Sequence, residues 1–144
     1  MNNSRKVIFT IGYEGKLIDE FISILKRNKI SRIIDIRRVP YSRNRDFRKD
    51  NIISILKQKK IDYLHYRSVA PSDNLRQKYK VNGSFSDFSA EYNKEMLSNP
   101  SILGDFINIL KERDCLLCYE KRFYNCHRSL LVNLIKDYYL IVHL

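Results

Sequence analysis

The chain has 144 residues, 44% of them hydrophobic, and a formal net charge of +11. Its size and composition are those of one globular domain with a real core, and no stretch approaches the roughly 20 apolar residues needed to span a bilayer. The first residues lack the apolar segment of a signal peptide, so we expect a cytoplasmic protein with no membrane partner. The three cysteines are clustered, which favours reduced thiols over a disulfide framework.

Hydrophobic periodicity predicts strands and helices that alternate along the chain. The first half contains a predicted strand over 6–11, a helix over 17–26, a strand over 32–37, a helix over 51–60 and a strand over 61–66. A polar excursion over 72–101, with a helix at 86–97, is followed by a helix over 101–111, a strand over 115–119, a helix over 127–137 and a strand over 139–143. This order predicts a single α/β domain over 1–144, with a mostly parallel, Rossmann-like sheet flanked by helices on both faces.

Most of the excess positive charge lies in one fifth of the chain. Residues 31–60 contain ten Lys or Arg and three Asp or Glu, a balance of +7. A localised positive field attracts phosphates and nucleic acid. Tyr41, Tyr63 and Tyr66 could stack bases, although half-buried packing with a solvated hydroxyl is the favoured interpretation of each. We therefore expect a phosphate-bearing ligand or a nucleic acid as partner, against the alternative of a solvated basic surface. The sequence indicates no particular protein partner.

Polar residues follow three of the predicted strands, at the edge where an open parallel sheet binds its ligands. They are Gly12, Tyr13 and Glu14 after the first strand, Arg37, Ser42 and Arg43 after the second, and Glu120, Cys126, His127 and Arg128 after the fourth. Because parallel topology brings these strand ends together, we expect one basic, anion-binding site at this edge. The glycine-containing loop lacks the spacing of a dinucleotide or phosphate-loop fingerprint, and no cofactor is predicted.

Cys126, His127 and Arg128 form the sharpest cluster, since they begin a predicted helix. A thiol at a helix N-terminus beside histidine and arginine is expected to have a lowered pKa and to be nucleophilic or redox-active. His127 or Glu120 would then move protons, and Arg128 would help Arg37 and Arg43 to hold the anion. Inert packing of the cysteine is the alternative.

Three functions are therefore compatible with the sequence. The first is an enzyme that acts on a phosphorylated or nucleic-acid substrate, and the second is a nucleic-acid-binding module without chemistry. The third is a metal-bound or redox-sensing domain, with Cys118, Cys126 and His127 as ligands. Cys115 and Cys118 form a Cys-x-x-Cys pair inside a predicted strand, where odd spacing places them on opposite faces, so a zinc knuckle is disfavoured.

The separated motifs together resemble the domain-of-unknown-function family DUF488. They are Thr10-Ile11-Gly12-Tyr13-Glu14-Gly15, Ile34-Asp35-Ile36-Arg37 with Pro40, Ser42, Arg43 and Phe47, Leu117-Cys118-Tyr119-Glu120, and Cys126-His127-Arg128-Ser129-Leu130-Leu131. The resemblance runs nearly end to end. It implies a compact, stand-alone α/β domain with its site at these strand ends, and the family's biochemical role is not established.

Overall fold

The computed structural model describes residues 5–144, in which five parallel strands form one sheet in the order β3-β2-β4-β1-β5. The strands are β1 (Lys6–Gly12), β2 (Arg32–Asp35), β3 (Asp62–His65), β4 (Asp114–Cys118) and β5 (Tyr139–His143). The predicted Rossmann-like α/β fold is confirmed. Each observed strand overlaps its predicted range.

Six α-helices connect and cover these strands. They are α1 (Ile18–Arg27), α2 (Lys49–Gln58), α3 (Asp73–Asn82), α4 (Phe85–Leu97), α5 (Pro100–Ile109) and α6 (His127–Ile135). Short 3₁₀ turns lie at Arg45–Phe47, Arg67–Val69 and Phe123–Asn125. Within residues 5–144, no helix is long and apolar enough to cross a bilayer.

Helices cover both faces of the sheet, because the strands bury side chains on both sides. Phe9 and Cys115 face the core formed with α1 and α2, whereas Ile8 and Cys118 face the core formed with α4, α5 and α6. The two cysteines of the Cys-x-x-Cys pair therefore lie on opposite faces, as predicted from the alternation of side chains along a strand.

The polar excursion is more ordered than its pattern suggests, since α3 is a helix that we did not predict. Only Leu75 of this helix is buried, so no apolar stripe indicates it. The residues that indicate this helix lie at its two ends. The Ser72 hydroxyl accepts a hydrogen bond from the Leu75 amide, and Gly83 closes the helix at φ 64°. Pro100 begins α5, one residue before the predicted start of this helix, at a position that proline tolerates.

The crossovers diverge at the carboxyl edge of the sheet. After β1 and β2 the chain enters α1 and α2 on one face, whereas after β4 it enters α6 on the opposite face. Because β4 lies between β1 and β2, neighbouring connections separate there and leave a crevice.

We predict that Gly12→Ala destabilises the protein by about 1–3 kcal/mol, because the position is overpacked. A Cβ on Gly12 would lie 1.7 Å from the Glu120 carbonyl oxygen, so the backbone would have to move. Gly104→Ala is the matched control. Its Cβ would meet no atom within 4 Å, and alanine inside a helix should stabilise by roughly 0.5–1 kcal/mol. Urea unfolding measures both, and a Gly12→Ala protein as stable as wild type would contradict this account.

Candidate functional site

A cavity of about 990 Å³ lies at the carboxyl ends of the central strands. Seven of the predicted site residues line it: Tyr13, Glu14, Arg37, Ser42, Arg43, Glu120 and His127. Gly12, Cys126 and Arg128 lie behind this lining. The guanidinium groups of Arg37 and Arg43 thus share one cavity with the imidazole of His127, although these residues are far apart in sequence.

The loops that follow β1 and β4 are joined by backbone hydrogen bonds. The Glu14 amide donates to the Tyr119 carbonyl at 2.8 Å, and the Lys121 amide donates to the Glu14 carboxylate at 3.0 Å. Gly12 permits this approach because it has no Cβ to meet the Glu120 carbonyl. Gly12 and Glu14 therefore fix the position of the loop that carries Glu120.

Arg128 stabilises the same loop from inside. Its side chain is fully buried, and it donates to the Glu120 carbonyl at 2.5 Å and to the Lys121 carbonyl at 3.2 Å. It does not line the cavity, so the structure does not bring it together with Arg37 and Arg43. We therefore assign Arg128 to loop positioning rather than to the anion.

Arg37 lines the cavity, but its guanidinium is largely engaged within the protein. It forms two hydrogen bonds with the carboxylate of Asp35, at 2.9 and 2.7 Å, and another with the Phe47 carbonyl at 2.7 Å. Asp35 is fully buried and also accepts from the Tyr63 hydroxyl at 2.5 Å. This buried ion pair shapes the cavity wall and leaves Arg37 few donors for a ligand.

Cys118, Glu120 and His127 form the floor of the cavity, and Cys126 lies directly behind it. The Nδ1 atom of His127 lies 3.7 Å from the Cys118 sulfur and 3.9 Å from the Cys126 sulfur. Its Nε2 atom lies 3.2 Å from the carbonyl of Ile36. The sequence brings these groups together because β4 ends at Cys118 and α6 begins at His127, with Cys126 as its N-cap.

Three pKa shifts describe the floor. Burial acts to lower the pKa of His127, but the neighbouring Cys118 and Glu120 outweigh it, and this pKa lies above its ordinary value. Burial raises the pKa of the Cys118 thiol well above its ordinary value, so this group is held neutral. Burial also acts to raise the pKa of Glu120, but the neighbouring thiols of Cys126 and Cys118 outweigh it, and the pKa lies below its ordinary value. The Cys118 thiol donates to the Glu120 carboxylate at 3.1 Å.

The rim of the cavity carries cations that sequence reasoning missed. They are Lys16, Arg38, Arg76 and Lys80. Arg76 and Lys80 lie one turn apart on α3, so a recognised α3 would have indicated them. Asp73 pairs with Arg38 at 2.8 Å and with Arg76 at 3.7 Å, but this carboxylate is largely exposed. Within residues 5–144, neither Arg43 nor Lys80 forms a salt bridge.

Two exposed tyrosine rings also line the cavity. Tyr41 is 61% exposed and Tyr119 is 49% exposed. The guanidinium of Arg48 lies 4.7 Å from the centroid of the Tyr41 ring and donates to its hydroxyl at 3.1 Å, which orients the ring. Tyr63 and Tyr66, the other two tyrosines near the basic segment, do not offer a stacking face, since Tyr63 donates to Asp35 and Tyr66 packs in the core.

These features define an α/β protein with a parallel sheet and a basic, aromatic-lined cavity at the carboxyl edge of its strands. The family model "Domain of unknown function DUF488" matches residues 17–135, so the chain belongs to the DUF488 family. This confirms the resemblance seen in its motifs. No curated protein and no solved structure matches the chain.

We predict that Arg37→Met destabilises the protein by about 3–5 kcal/mol, because it leaves the Asp35 carboxylate buried without its counter-charge. Arg38→Met is the matched control. Its partner Asp73 is 62% exposed, so the change should cost no more than about 1 kcal/mol. Chemical denaturation of the two variants gives the comparison. Equal losses in both would show that the Asp35–Arg37 pair has no special structural role.

Proposed function

We propose that this protein is an enzyme that binds a nucleotide-like phosphorylated substrate in the cavity. The observation that carries the proposal is one cavity whose rim is basic, whose walls carry exposed aromatic rings and whose floor carries thiol, imidazole and carboxylate groups. Its volume lies within the range of about 300–1,000 Å³ that is usual for small-molecule sites.

The rim supports binding of the phosphate. Cavity-lining cations outnumber cavity-lining carboxylates, which are Glu14 and Glu120. Arg37 is already paired with Asp35, so the phosphate is assigned to Arg43, Arg76 and Lys80. Arginine suits this role because its planar fork matches phosphate oxygens. Arg43 comes from the loop after β2 and Arg76 from α3, so an anion between them would join two walls of the cavity.

The exposed tyrosines support a base or another flat group on the substrate. Every nucleobase has a π-face, and stacking on an aromatic side chain contributes about 1–3 kcal/mol per base. Tyr41 is preorganised by Arg48, which reduces the entropy lost when a base stacks on it. A phosphate on the rim with a ring against Tyr41 is the geometry of a mononucleotide.

Glu120 is the residue that we assign to proton transfer. It lines the cavity and is positioned by Arg128 and Gly12 through its own backbone. Cys126, predicted as nucleophile, is 1% exposed and does not line the cavity, so it has no place in this proposal as an attacking group. His127 lines the cavity, but both of its ring nitrogens face protein groups.

A non-catalytic nucleic-acid-binding module is the second candidate, favoured by the +7 balance of residues 31–60. The fold, however, places these charged residues at two opposite edges of the sheet. Arg43 lies at the carboxyl edge of the sheet, whereas α2 runs back across the sheet and ends near Lys57, Lys59 and Lys60 at the opposite edge. Arg32 is also engaged in an ion pair with Asp114 at 2.7 Å, so it is not available to a nucleic acid. A cavity therefore accounts for the placement of these charges better than a continuous track does.

We predict that Arg43→Gln weakens nucleoside monophosphate binding about 10-fold, because it removes one charge-assisted contact. Lys57→Gln is the control, since it removes the same charge at the opposite edge and should leave the affinity unchanged. Isothermal titration calorimetry measures both. Equal effects of the two changes would indicate that a diffuse positive field, and not a localised site, binds the phosphate.

The same titrations separate the two candidates. A cavity for a mononucleotide gives similar affinity for a monophosphate and a long oligonucleotide. A nucleic-acid track gives tighter oligonucleotide binding that weakens steeply as salt rises. That second pattern would overturn the proposal.

We predict that Glu120→Gln keeps nucleotide affinity within about 3-fold and lowers turnover at least 100-fold, the scale of general acid–base catalysis. A panel of nucleoside mono-, di- and triphosphates is incubated with the protein, and the products are followed by phosphorus NMR. Glu14→Gln is the control, because Glu14 lines the same cavity but bonds the Lys121 amide. If the protein binds these nucleotides but converts none of them, the assignment as an enzyme is contradicted.

A further inference from the structure

Three buried side chains at the cavity floor have the spacing of metal ligands. The sulfurs of Cys118 and Cys126 and a ring nitrogen of His127 all lie within 4.8 Å of one another. Their exposed fractions are 3%, 1% and 9%. Among residues 5–144, this is the one group of three or more such side chains with their ligand atoms so close together.

The individual distances fit a tetrahedral ion. Nδ1 of His127 lies 3.7 Å from one sulfur and 3.9 Å from the other. Zinc–sulfur bonds of about 2.3 Å and zinc–nitrogen bonds of about 2.0 Å, at tetrahedral angles, separate sulfur from nitrogen by about 3.6 Å. An ion would therefore shorten the two sulfur–nitrogen distances by only a few tenths of an ångström. It would hold the two sulfurs, which lie within 4.8 Å of each other, about 3.8 Å apart.

The tautomer of His127 is already set for coordination. Nε2 faces the carbonyl of Ile36 at 3.2 Å, and a carbonyl only accepts, so the ring proton lies on Nε2. Nδ1 then carries a lone pair that points at the two sulfurs. A backbone carbonyl that orients the far nitrogen in this way is the usual outer partner of a metal-bound histidine.

The surroundings of Cys126 also suit a thiolate. The Arg128 amide, at the start of α6, donates to the Cys126 sulfur at 3.5 Å, and the helix N-terminus favours negative charge there. When a divalent ion binds, each cysteine releases its thiol proton to solvent, and the two thiolates balance the charge of the ion. The resulting cluster is neutral, so its burial does not leave an uncompensated charge in the protein interior.

We infer that Cys118, Cys126 and His127 bind one Zn²⁺ at the cavity floor, with a fourth coordination position that opens into the cavity. Two sulfurs and an imidazole select zinc over magnesium or calcium, which prefer oxygen ligands. Cys118 and His127 line the cavity, so the open position faces the substrate. Three protein ligands and one open position is the pattern of catalytic rather than structural zinc. This inference takes up the metal-bound alternative of the sequence analysis in place of its expectation of no cofactor.

A disulfide between Cys118 and Cys126 is the competing use of these thiols. Its formation would remove the S–H of Cys126, the thiol left to donate to Nδ1 of His127 because the Cys118 thiol donates to the Glu120 carboxylate. A buried acceptor would then be left without a donor, which costs about 1–3 kcal/mol. A metal ion instead takes up the same lone pair, so the geometry of the imidazole favours the ion.

The test is a titration of the reduced, metal-stripped full chain with Co²⁺, followed by displacement with Zn²⁺. We expect one Co²⁺ per chain, with the intense visible absorption of a tetrahedral thiolate site, and its loss when Zn²⁺ is added. Cys118→Ala and Cys126→Ala should each weaken binding about 100-fold or more, since even outer partners of a metal contribute 10–100-fold. Circular dichroism and a cooperative unfolding transition show whether each variant is folded.

Cys115→Ala is the matched control, because Cys115 is buried in the same strand but faces the opposite core. It should keep full Co²⁺ binding. Arg43→Gln should also keep full Co²⁺ binding, so a defect in phosphate binding at the rim can be told apart from a defect in metal binding. Failure of the folded wild type to bind one equivalent would overturn the inference. An equal loss of Co²⁺ binding in Cys115→Ala would also overturn it. The same holds if Cys118 and Cys126 form a disulfide in air and the reduced protein binds no metal.

Discussion

The absence of a side chain at Gly12 is the constraint on which the site depends. It lets the loop after β4 cross the end of β1, with the Glu120 carbonyl in the space that a Cβ would fill. Arg128 then binds two carbonyls of this loop from the buried side. One missing methyl group and one buried guanidinium thus fix Glu120 over the cavity, between the end of β4 and the start of α6.

Positive charge serves two purposes in this protein. The buried arginines, Arg37 and Arg128, have most of their guanidinium donors engaged by a carboxylate or by backbone carbonyls, and they hold the walls in place. Nε of Arg128 is buried without a hydrogen-bond partner among the described residues. Of the rim cations, Lys16 donates to the Gly12 carbonyl, and Arg38 and Arg76 share the exposed Asp73. Arg43 and Lys80 form no salt bridge among residues 5–144, which leaves these two available to an anion. Burial decides between the two roles, because an unpaired charge is tolerated only where water can reach it.

The rim and the floor complement each other chemically. A phosphate-bearing substrate held by Arg43 and Arg76 would place its reacting end toward Cys118, Glu120 and His127. A zinc ion there would polarise a substrate oxygen or activate a water, and Glu120 beside it would transfer the proton. Helices α3 and α4 close the cavity from one side, so the excursion between β3 and β4 belongs to the site rather than to a separate surface.

Periodicity alone determined the order of strands, the parallel sheet and the edge at which polar residues gather, because burial on two faces imposes a readable pattern. It missed α3, whose single buried residue gives no stripe, and with it Arg76 and Lys80. Tertiary structure decided which arginines have donors left free at the cavity, since Arg37 and Arg128 look like Arg43 in sequence but have buried partners. It also decided that Cys118, Cys126 and His127 converge, because the turn between β4 and α6 sets distances that spacing along the chain does not encode.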